Sequence, residues 1–442
     1  MKIFKKILPL FLALVMLMAM LAGCSNDDDT SGGTSGGSQD SGNNNNNNNT
    51  TSGQKYVLTV WGAANDQDML KEMCNAYAAA NPQNEYKFLY GVQEENNTAE
   101  KVLNDVKNGP DIYCFPSDQI NRLYSGGALA RIGGEIEKNI KEVNDPGSVD
   151  AATVTINGED YLMAYPVTGD NCYFVYYDKR VYSEEDLASL DTMLAKAADN
   201  GKQVHFKLNN DGWYLSSFFF TNPDLKYEVT YNEIMAETGV SINYDTEGGL
   251  KVMQSIQNYV QSDAFLVATD DAILTNAFVE GTASAAVTGT WNAKAIEEAL
   301  GENMGVCKLP TANIGGEQIQ LSGYKGYKLM GVNAMSANRA EAHRLAQWLT
   351  NEQNQIKRYE TRRFNPTNLN ALQNEKVVAD PIMQVVTEQF KYNRTQKGVP
   401  STYWTPMASL IQPIINARAE GTTVSDEDLQ AALVNLCNSI RK

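Results

Sequence analysis

Residues 275–292 have the sequence TNAFVEGTASAAVTGTWN. This short stretch contains the alternation of helix and strand from which the fold can be inferred. A helix that ends at Gly281 is followed by a short apolar strand over residues 283–287, and Gly289 then places Trp291 at the start of a new helix. Helix, buried strand and helix in immediate succession are typical of an open α/β sheet. Such sheets bind ligands at the carboxyl ends of their strands, so we expect Trp291 to lie at a ligand-binding edge.

The amino-terminal part of the globular body repeats this alternation. Strand-like segments at residues 56–61, 85–90 and 111–116 are each followed by apolar residues at helical spacing. This order predicts a mostly parallel sheet with helices on both faces. Its strands end near residues 62–68 and 115–119, which are therefore the expected ligand edge of this part of the chain.

Later segments predict further elements. Asn157-Gly158 at the centre of an alternating segment indicates a two-residue β-hairpin turn. The apolar spacing predicts one helix over residues 337–359, in which Trp348 is a packing residue, and another over residues 406–419.

The first 24 residues have the pattern of a targeting segment. Three lysines within residues 2–6 precede an apolar run over residues 7–22, and Leu-Ala-Gly-Cys follows at residues 21–24. This sequence resembles the bacterial lipobox, whose cysteine is acylated with diacylglycerol and becomes the new amino terminus, so we predict that Cys24 carries lipid. A plain transmembrane anchor is the alternative, but the run is shorter than the roughly 20 residues that a membrane span needs.

The segment after Cys24 is predicted to be a flexible tether. Residues 25–54 contain no hydrophobic residue and include seven consecutive asparagines. Such a composition cannot bury enough apolar surface to offset the entropy lost on ordering. We therefore predict a globular body held near the outer face of a membrane by a lipid and a tether.

Charge and composition exclude several classes of function. The formal net charge is −17, which argues against nucleic acid as a partner because phosphate binding requires a basic surface. Two histidines and no CxxC exclude a histidine zinc site, and no glycine-rich phosphate loop occurs, so we predict neither metal nor cofactor. The five cysteines other than Cys24 are predicted to be mostly small core residues, although one pair could form a disulfide.

Aromatic and short planar polar residues coincide at several predicted strand ends. Carboxylate and amide groups can bind vicinal hydroxyls, and an aromatic ring can pack against the C–H face of a sugar. Each coincidence alone is equally consistent with a turn residue or a core aromatic, but together they favour carbohydrate binding. They are Trp61 with Asn65 and Asp66, Phe115 with Asp118 and Gln119, Asp170 and Asn171 with Tyr173, Asn210 and Asp211 with Trp213, and Trp291 with Asn292.

Four segments of the chain, together with the lipobox, resemble those of bacterial extracellular solute-binding lipoproteins of ABC importers, in the maltose/maltodextrin-binding branch. The resemblance covers essentially residues 55–442. It is carried by GPDIYCFPSDQINRLYSGGALARI (109–132), YLMAYPV (161–167), FVEGTASAAVTGTWN (278–292) and AHRLAQWLTNEQNQ (342–355).

The resemblance implies a two-lobed α/β fold of the periplasmic-binding-protein type. Each lobe would be a mostly parallel sheet flanked by helices, and the lobes would be joined by a hinge that closes around a sugar. The implied domains are a signal peptide (1–23), the acylated cysteine and tether (24–54), a first lobe (55–167 and 324–375) and a second lobe (168–323 and 376–442).

The resemblance also implies ligand contacts. Phe115, which stands where the family has a tryptophan, and Gln119, which stands where it has an arginine, would lie on the first lobe's wall. Trp404 would match the family's last tryptophan, although Met407 competes for that position. The full candidate set is Asp66, Phe115, Asp118, Gln119, Asp170, Asn171, Asp211, Trp213, Trp291, Lys325 and Trp404, and between Asp170 and Asn171 the choice stays open.

We therefore expect a monomeric, non-enzymatic receptor on the extracellular face of the bacterial membrane. It would capture an oligosaccharide, with malto-oligosaccharides as the first candidate, and present it to ABC permease subunits. A surface glycan-degrading enzyme is a competing hypothesis, because the 53 carboxylates leave a glycosidase pair open. Two further hypotheses are a surface adhesion lipoprotein and a binding protein for a different class of oligosaccharide.

Overall fold

The computed structural model describes residues 53–220 and 222–441, which form two α/β lobes around separate β-sheets. Cys24, the predicted signal peptide and nearly all of the predicted tether lie outside the described residues. Within the described part of the chain, no helix is long and apolar enough to cross a membrane.

The strands in the described residues follow the chain in this order: β1 (Lys55–Gly62), β2 (Glu85–Val92), β3 (Ile112–Pro116), β4 (Thr153–Ile156), β5 (Glu159–Leu162), β6 (Tyr165–Asn171), β7 (Phe174–Asp178), β8 (Gln203–Phe206), β9 (Tyr227–Tyr231), β10 (Glu237–Ile242), β11 (Phe265–Val267), β12 (Ala283–Thr288), β13 (Met304–Cys307), β14 (Thr311–Ile314), β15 (Glu317–Gln320), β16 (Tyr324–Val332) and β17 (Arg394–Thr395).

The α-helices of the same residues are α1 (Gln67–Ala80), α2 (Thr98–Asn104), α3 (Ile120–Ser125), α4 (Gly134–Val143), α5 (Pro146–Ala151), α6 (Leu190–Asp199), α7 (Gly212–Phe219), α8 (Glu247–Val260), α9 (Asp271–Val279), α10 (Ala293–Leu300), α11 (Arg339–Leu349), α12 (Glu352–Arg362), α13 (Leu369–Leu372), α14 (Glu375–Ala379), α15 (Pro381–Phe390), α16 (Ser401–Ser409), α17 (Gln412–Ala419) and α18 (Asp426–Ile440).

The first lobe is built on the sheet β17-β16-β3-β1-β2, with β6 also paired to β16. β1 runs parallel to β2 and β3, whereas β16 runs antiparallel to β3 and β6. Because β1 and β3 point the same way, the loops that follow them meet at one edge of the sheet. This edge is where the sequence predicts the first lobe's ligand contacts.

The second lobe is built on the sheet β11-β8-β12-β7-β13. β12 lies at its centre, parallel to β8 and antiparallel to β7, and every residue of it is buried. The stretch over residues 275–292 therefore has the predicted order: α9 ends, Gly281 takes a positive φ of 72°, β12 follows, and a 3₁₀ turn over Thr290–Asn292 leads into α10.

The chain passes between the two lobes near the middle of the molecule. Val167 packs in the first lobe's core, whereas Cys172 packs in a core of the second lobe. On the return, Tyr324 belongs to the second lobe's core and Tyr327 to the first. The domain boundaries proposed from sequence remain a prediction.

Two predicted helices are each divided in the structure. The helix predicted over residues 337–359 is α11 and α12, because the Asn351 side chain accepts a hydrogen bond from the Asn354 backbone N–H and begins a new helix. The helix predicted over residues 406–419 is α16 and α17, and Pro413 fits the first turn of α17 because that turn needs no N–H donor there. The hairpin β4–β5 agrees with prediction, with positive φ at Asn157 and Gly158.

Candidate ligand-binding cleft

A cavity of about 970 Å³ lies between the two lobes and is lined by both. The loops after β1 and β3, strand β6, the segment after β8, the turn after β12 and helix α16 all contribute to it. It brings together most of the candidate contacts, namely Asp66, Asp118, Gln119, Asp170, Asn171, Asp211, Trp213, Trp291 and Trp404.

Trp213 and Trp291 lie side by side on the second lobe's wall. Their ring centroids are 5.9 Å apart and their planes are inclined by 45°. Trp213 is the second residue of α7, whose first turn is capped by Asp211. The Asp211 Oδ1 accepts from the backbone N–H groups of Trp213 at 3.0 Å and Tyr214 at 3.3 Å. Trp291 lies directly over Gly289, where an added Cβ would come within 2.1 Å of the indole ring. The two indoles therefore form an aromatic surface of fixed geometry.

Trp404 adds a third indole from helix α16. It packs edge-on against Tyr324 and Tyr403, with centroid distances of 5.3 Å in both cases. Met407, which competed with it for this role in the sequence, is fully buried and does not line the cavity. Of the two, Trp404 is therefore the residue that faces the cleft.

Asp118 and Gln396 connect the wall of the first lobe to the aromatic surface. Gln396 Nε2 donates to Asp118 Oδ1 at 2.8 Å, and Gln396 Oε1 accepts from Asn171 Nδ2 at 2.8 Å and from Trp213 Nε1 at 3.1 Å. Burial raises the pKa of Asp118 to about 7, although contacts with Gln396 and Trp404 oppose the rise. This carboxyl group can therefore change its charge near neutral pH.

Asp170, in the first segment that crosses between the lobes, bonds to the turn after β12 and to the segment after α12. Its Oδ2 accepts from Thr290 Oγ1 at 2.6 Å and from the Asn365 backbone N–H at 3.0 Å, and burial raises its pKa. Asp170 and Asn171 both line the cavity, so the structure does not separate these two candidates. Asp170 is, however, already engaged with two protein donors, whereas Asn171 donates to Gln396.

Asp66 lies in a cluster of charged residues on the first lobe. It forms an ion pair with Arg362, and Glu95 forms another with Lys328. Burial raises the pKa of Asp66 despite the nearby cations. Both pairs are largely buried at the cavity wall, so their charges are weakly screened.

Gln119 lines the cavity, but its side-chain amide is already hydrogen-bonded to backbone groups of the protein. Its Nε2 donates to the Asn96 carbonyl at 2.6 Å, and its Oε1 accepts from the Ala99 N–H at 2.9 Å. The side chain therefore fixes the loop after β2, which carries Glu95.

Phe115 and Lys325 do not line the cavity, which corrects the sequence assignment. Phe115 is fully buried in β3, where it packs 5.9 Å from Tyr113 and pairs with Leu329 of β16. It belongs to the strand rather than to the loop after it, so its ring forms part of the core. Lys325 lies at the start of β16 with Nζ 5.1 Å from the centre of the Phe390 ring.

Several cavity residues were not predicted. Arg358 and Arg362 come from α12, Phe364 from the segment after it, Lys328 from β16, and Gln396 from the loop after β17. These segments are remote in sequence from the predicted strand ends, and no local pattern in them indicates exposure to a ligand. Only their position in the wall of the cavity, once the fold is known, identifies them.

The described residues contain no group of three or more histidine, cysteine, aspartate or glutamate side chains that could hold a metal ion. The five cysteines within them are free thiols, and the disulfide left open by the sequence does not form.

Comparisons with known proteins agree with this arrangement. A profile of the bacterial extracellular solute-binding protein family matches residues 72–385. The chain is 25% identical over 334 residues to the galactooligosaccharide-binding protein of Bacillus subtilis (strain 168), which covers 73% of this chain and 76% of that one.

Two further matches span much of the body. The maltotriose-binding protein of Pyrococcus abyssi (strain GE5 / Orsay) is 24% identical over 301 residues, covering 66% of this chain and 62% of that protein. A structure solved with acarbose is 29% identical, with a TM-score of 0.77 over 88% of this chain and 99% of that one.

Proposed function

We propose that this chain, which belongs to the family of bacterial extracellular solute-binding proteins, captures an oligosaccharide between its two lobes and delivers it to an ABC importer. Members of this family bind solutes and do not transform them, so no turnover of the sugar is expected.

One observation carries the proposal: three partly exposed tryptophans and a set of planar polar side chains line the same cavity. Indole faces pack against the C–H faces of sugar rings, and carboxylate and amide groups bind the hydroxyls at the ring edge. A cavity of about 970 Å³ lies at the upper end of the range for ligand pockets and can hold several sugar rings. The ligand contacts that we propose are Asp66, Asp118, Gln119, Asp170, Asn171, Asp211, Trp213, Trp291 and Trp404.

A malto-oligosaccharide is the first candidate ligand. The named relatives include one that binds maltotriose and one that binds galactooligosaccharide, and a similar structure was solved with acarbose. Glucose and galactose differ only in the orientation of one hydroxyl, so aromatic surfaces of this kind suit both. The choice between them therefore depends on the polar groups around Asp118 and Asp66.

Titration calorimetry with a panel of oligosaccharides tests this proposal. The panel contains maltotriose, maltotetraose, a β-galacto-oligosaccharide, a β-glucan oligosaccharide and a xylo-oligosaccharide. We expect saturable one-site binding of the malto-oligosaccharides, and tighter binding of galacto-oligosaccharides would reassign the ligand within the same function. Chromatography after prolonged incubation serves as the control, because released shorter sugars would indicate an enzyme instead.

The proposal includes a lipid anchor on Cys24 and a location on the extracellular face of the membrane. Leu-Ala-Gly-Cys at residues 21–24 and the polar residues 25–54 support it. A tether of about 30 residues has an r.m.s. reach of roughly 30 Å, which keeps the receptor close to a permease in the same membrane. A monomeric state is also proposed, since one chain supplies both walls of the cavity.

A further inference from the structure

Arg358 of helix α12 stands apart from every other cation in the cavity wall. It is 3% exposed and lines the cavity, yet neither its Nε nor its Nη2 has a hydrogen-bond partner among the described residues. A guanidinium group does not lose its proton in proteins, so burial cannot be relieved by deprotonation. Its donors consequently need oxygen acceptors.

The neighbouring charges are already paired with one another. Arg362, one turn further along α12, forms an ion pair with Asp66 and lies 5.0 Å from the centre of the Phe364 ring. Lys328 forms an ion pair with Glu95. Arg358 is close enough to oppose the rise in the pKa of Asp66 that burial causes, but the Asp66 carboxylate bonds to Arg362. Asp66 and Glu95 are thus each paired with another cation, and Arg358 forms no ion pair within the described residues.

The position of Arg358 on the helix makes this arrangement costly for the free protein. Like charges four residues apart on a helix repel each other by a few tenths of a kcal/mol. An unpaired buried charge costs considerably more. Within the described residues Arg358 forms no ion pair, and its Nε and Nη2 have no acceptor, which points to acceptors that come from outside the chain.

We propose that Arg358 is a ligand-binding residue and that it receives oxygen acceptors of the bound sugar at the Asp66 side of the cleft. This inference rests on the proposed function. The shared chemistry is an oxygen pair that the planar guanidinium fork can bind in a bidentate manner. Two sources supply it: vicinal hydroxyls of a neutral sugar, or the carboxylate of an acidic sugar residue.

The test compares Arg358→Gln with wild type in calorimetry, using the full chain. The probes are maltotriose and its C6-oxidised derivative that carries one glucuronate. Hydrogen bonds to a charged group predict an affinity loss of about 10- to 100-fold in Arg358→Gln for the probe that wild type prefers. A preference for maltotriose assigns hydroxyls to Arg358, and a preference for the glucuronate derivative, weakened by salt, assigns a carboxylate.

Arg344→Gln is the matched control. Arg344 lies on α11 of the same lobe, pairs with Glu341 at 2.6 Å and does not line the cavity, so its loss removes the same charge without affecting affinity. Arg358→Lys provides a second variant, since it keeps the charge but loses the planar fork, and we expect it to bind at least threefold more weakly than wild type.

Thermal unfolding without sugar separates binding from folding. If Arg358→Gln is folded and binds within twofold of wild type, the inference is overturned. If Arg358→Gln does not fold, wild-type affinity in Arg358→Lys overturns it equally. If wild type binds neither probe nor any other sugar of the calorimetric panel, the proposed function itself fails and this inference fails with it.

Discussion

The side-chain amide of Gln396 donates a hydrogen bond of 2.8 Å to Asp118 Oδ1. The other end of the same amide accepts a hydrogen bond from the Trp213 indole. Gln396 therefore connects the carboxyl group of Asp118, which follows β3 of the first lobe, to the aromatic surface of the second lobe. Since burial raises the pKa of Asp118 to about 7, the charge at one end of this chain of contacts depends on pH in the neutral range.

Because the charge of Asp118 depends on pH, we predict that sugar affinity falls as the pH drops below 7. The charged carboxylate of Asp118 accepts hydrogen bonds from sugar hydroxyls more strongly than the protonated form. If the charged form binds much more tightly than the protonated form, affinity at pH 6 is up to about tenfold lower than at pH 8. Calorimetry at pH 6, 7 and 8 measures the effect, and Asp118→Asn should bind with an affinity independent of pH over this range. An equal pH dependence in that variant would contradict the assignment to Asp118.

The two histidines do not interfere with this measurement. Burial lowers the pKa of His205 to about 4, and burial with the nearby Arg339 lowers the pKa of His343 to about 4. Both are therefore neutral from pH 6 to 8.

The raised pKa of Asp118 also has a consequence for stability. The folded state holds this proton more tightly than the unfolded chain, so the contribution of Asp118 to stability decreases as the pH rises from 4 to 7 and is constant above that. The slope is at most about 1.4 kcal/mol per pH unit. In denaturant unfolding, wild type and Asp118→Asn should differ in the slope of the free energy of unfolding against pH below pH 7. Above pH 8 the two slopes should be the same. Identical slopes below pH 7 would refute a raised pKa.

A third prediction concerns Trp291. Replacing it with alanine should weaken sugar binding by about 1–3 kcal/mol, because an aromatic contact is lost from the cleft. Gly289→Ala should also weaken binding, since its new Cβ would displace the indole ring that now lies 2.1 Å from that position. Calorimetry measures both variants.

Trp348→Phe is the control for these two variants. Trp348 donates to the Met73 carbonyl at 3.1 Å in the first lobe and does not line the cavity. It should lower stability and leave affinity unchanged. Wild-type affinity in Trp291→Ala would remove this residue from the site, and wild-type affinity with an undisturbed tryptophan fluorescence in Gly289→Ala would show that the ring tolerates a methyl group.

A fourth prediction tests the correction made for Phe115. Phe115→Leu should destabilise the first lobe by about 1–2 kcal/mol, because the smaller side chain leaves part of the core unfilled. Sugar affinity should stay within twofold of wild type, since Phe115 is fully buried. Thermal unfolding measures the change in stability, and calorimetry measures the sugar affinity. A tenfold loss of affinity without a loss of stability would return Phe115 to the binding wall.

Phe115 illustrates where prediction from sequence reaches its limit. The alternation of strands and helices predicted the sheet of the amino-terminal part, because buried strands and amphipathic helices have different apolar periods, and the resemblance implied the second lobe. In β3, however, all five residues are buried, so no alternation distinguishes the last residue of the strand from the first residue of the ligand edge. The resemblance placed Phe115 by position, and its place within the strand is decided by pairing with β16.

The cavity residues that the sequence did not predict were missed for a different physical reason. Trp213 and Trp291 were identified because each follows a predicted strand and a turn. Gln396 and Arg358 follow no such signal, since a loop after a two-residue strand and the middle of a helix are ordinary places for polar side chains. They reach the cavity because of the path that the chain takes between the lobes, and that path depends on tertiary contacts rather than on local sequence.

The last prediction concerns the amino terminus. A diacylglycerol group on Cys24 would supply two acyl chains, and two chains are needed for stable membrane anchoring at about 0.8 kcal/mol per buried CH₂. Wild type expressed in a bacterial host should therefore partition into the detergent phase and incorporate labelled fatty acid. Cys24→Ser should lose the label and bind sugar with wild-type affinity, because residues 25–54 separate position 24 from the globular body. If wild type incorporates no label and Cys24→Ser keeps the detergent partition, the anchor is the apolar segment itself, and the acylation proposed for Cys24 is wrong.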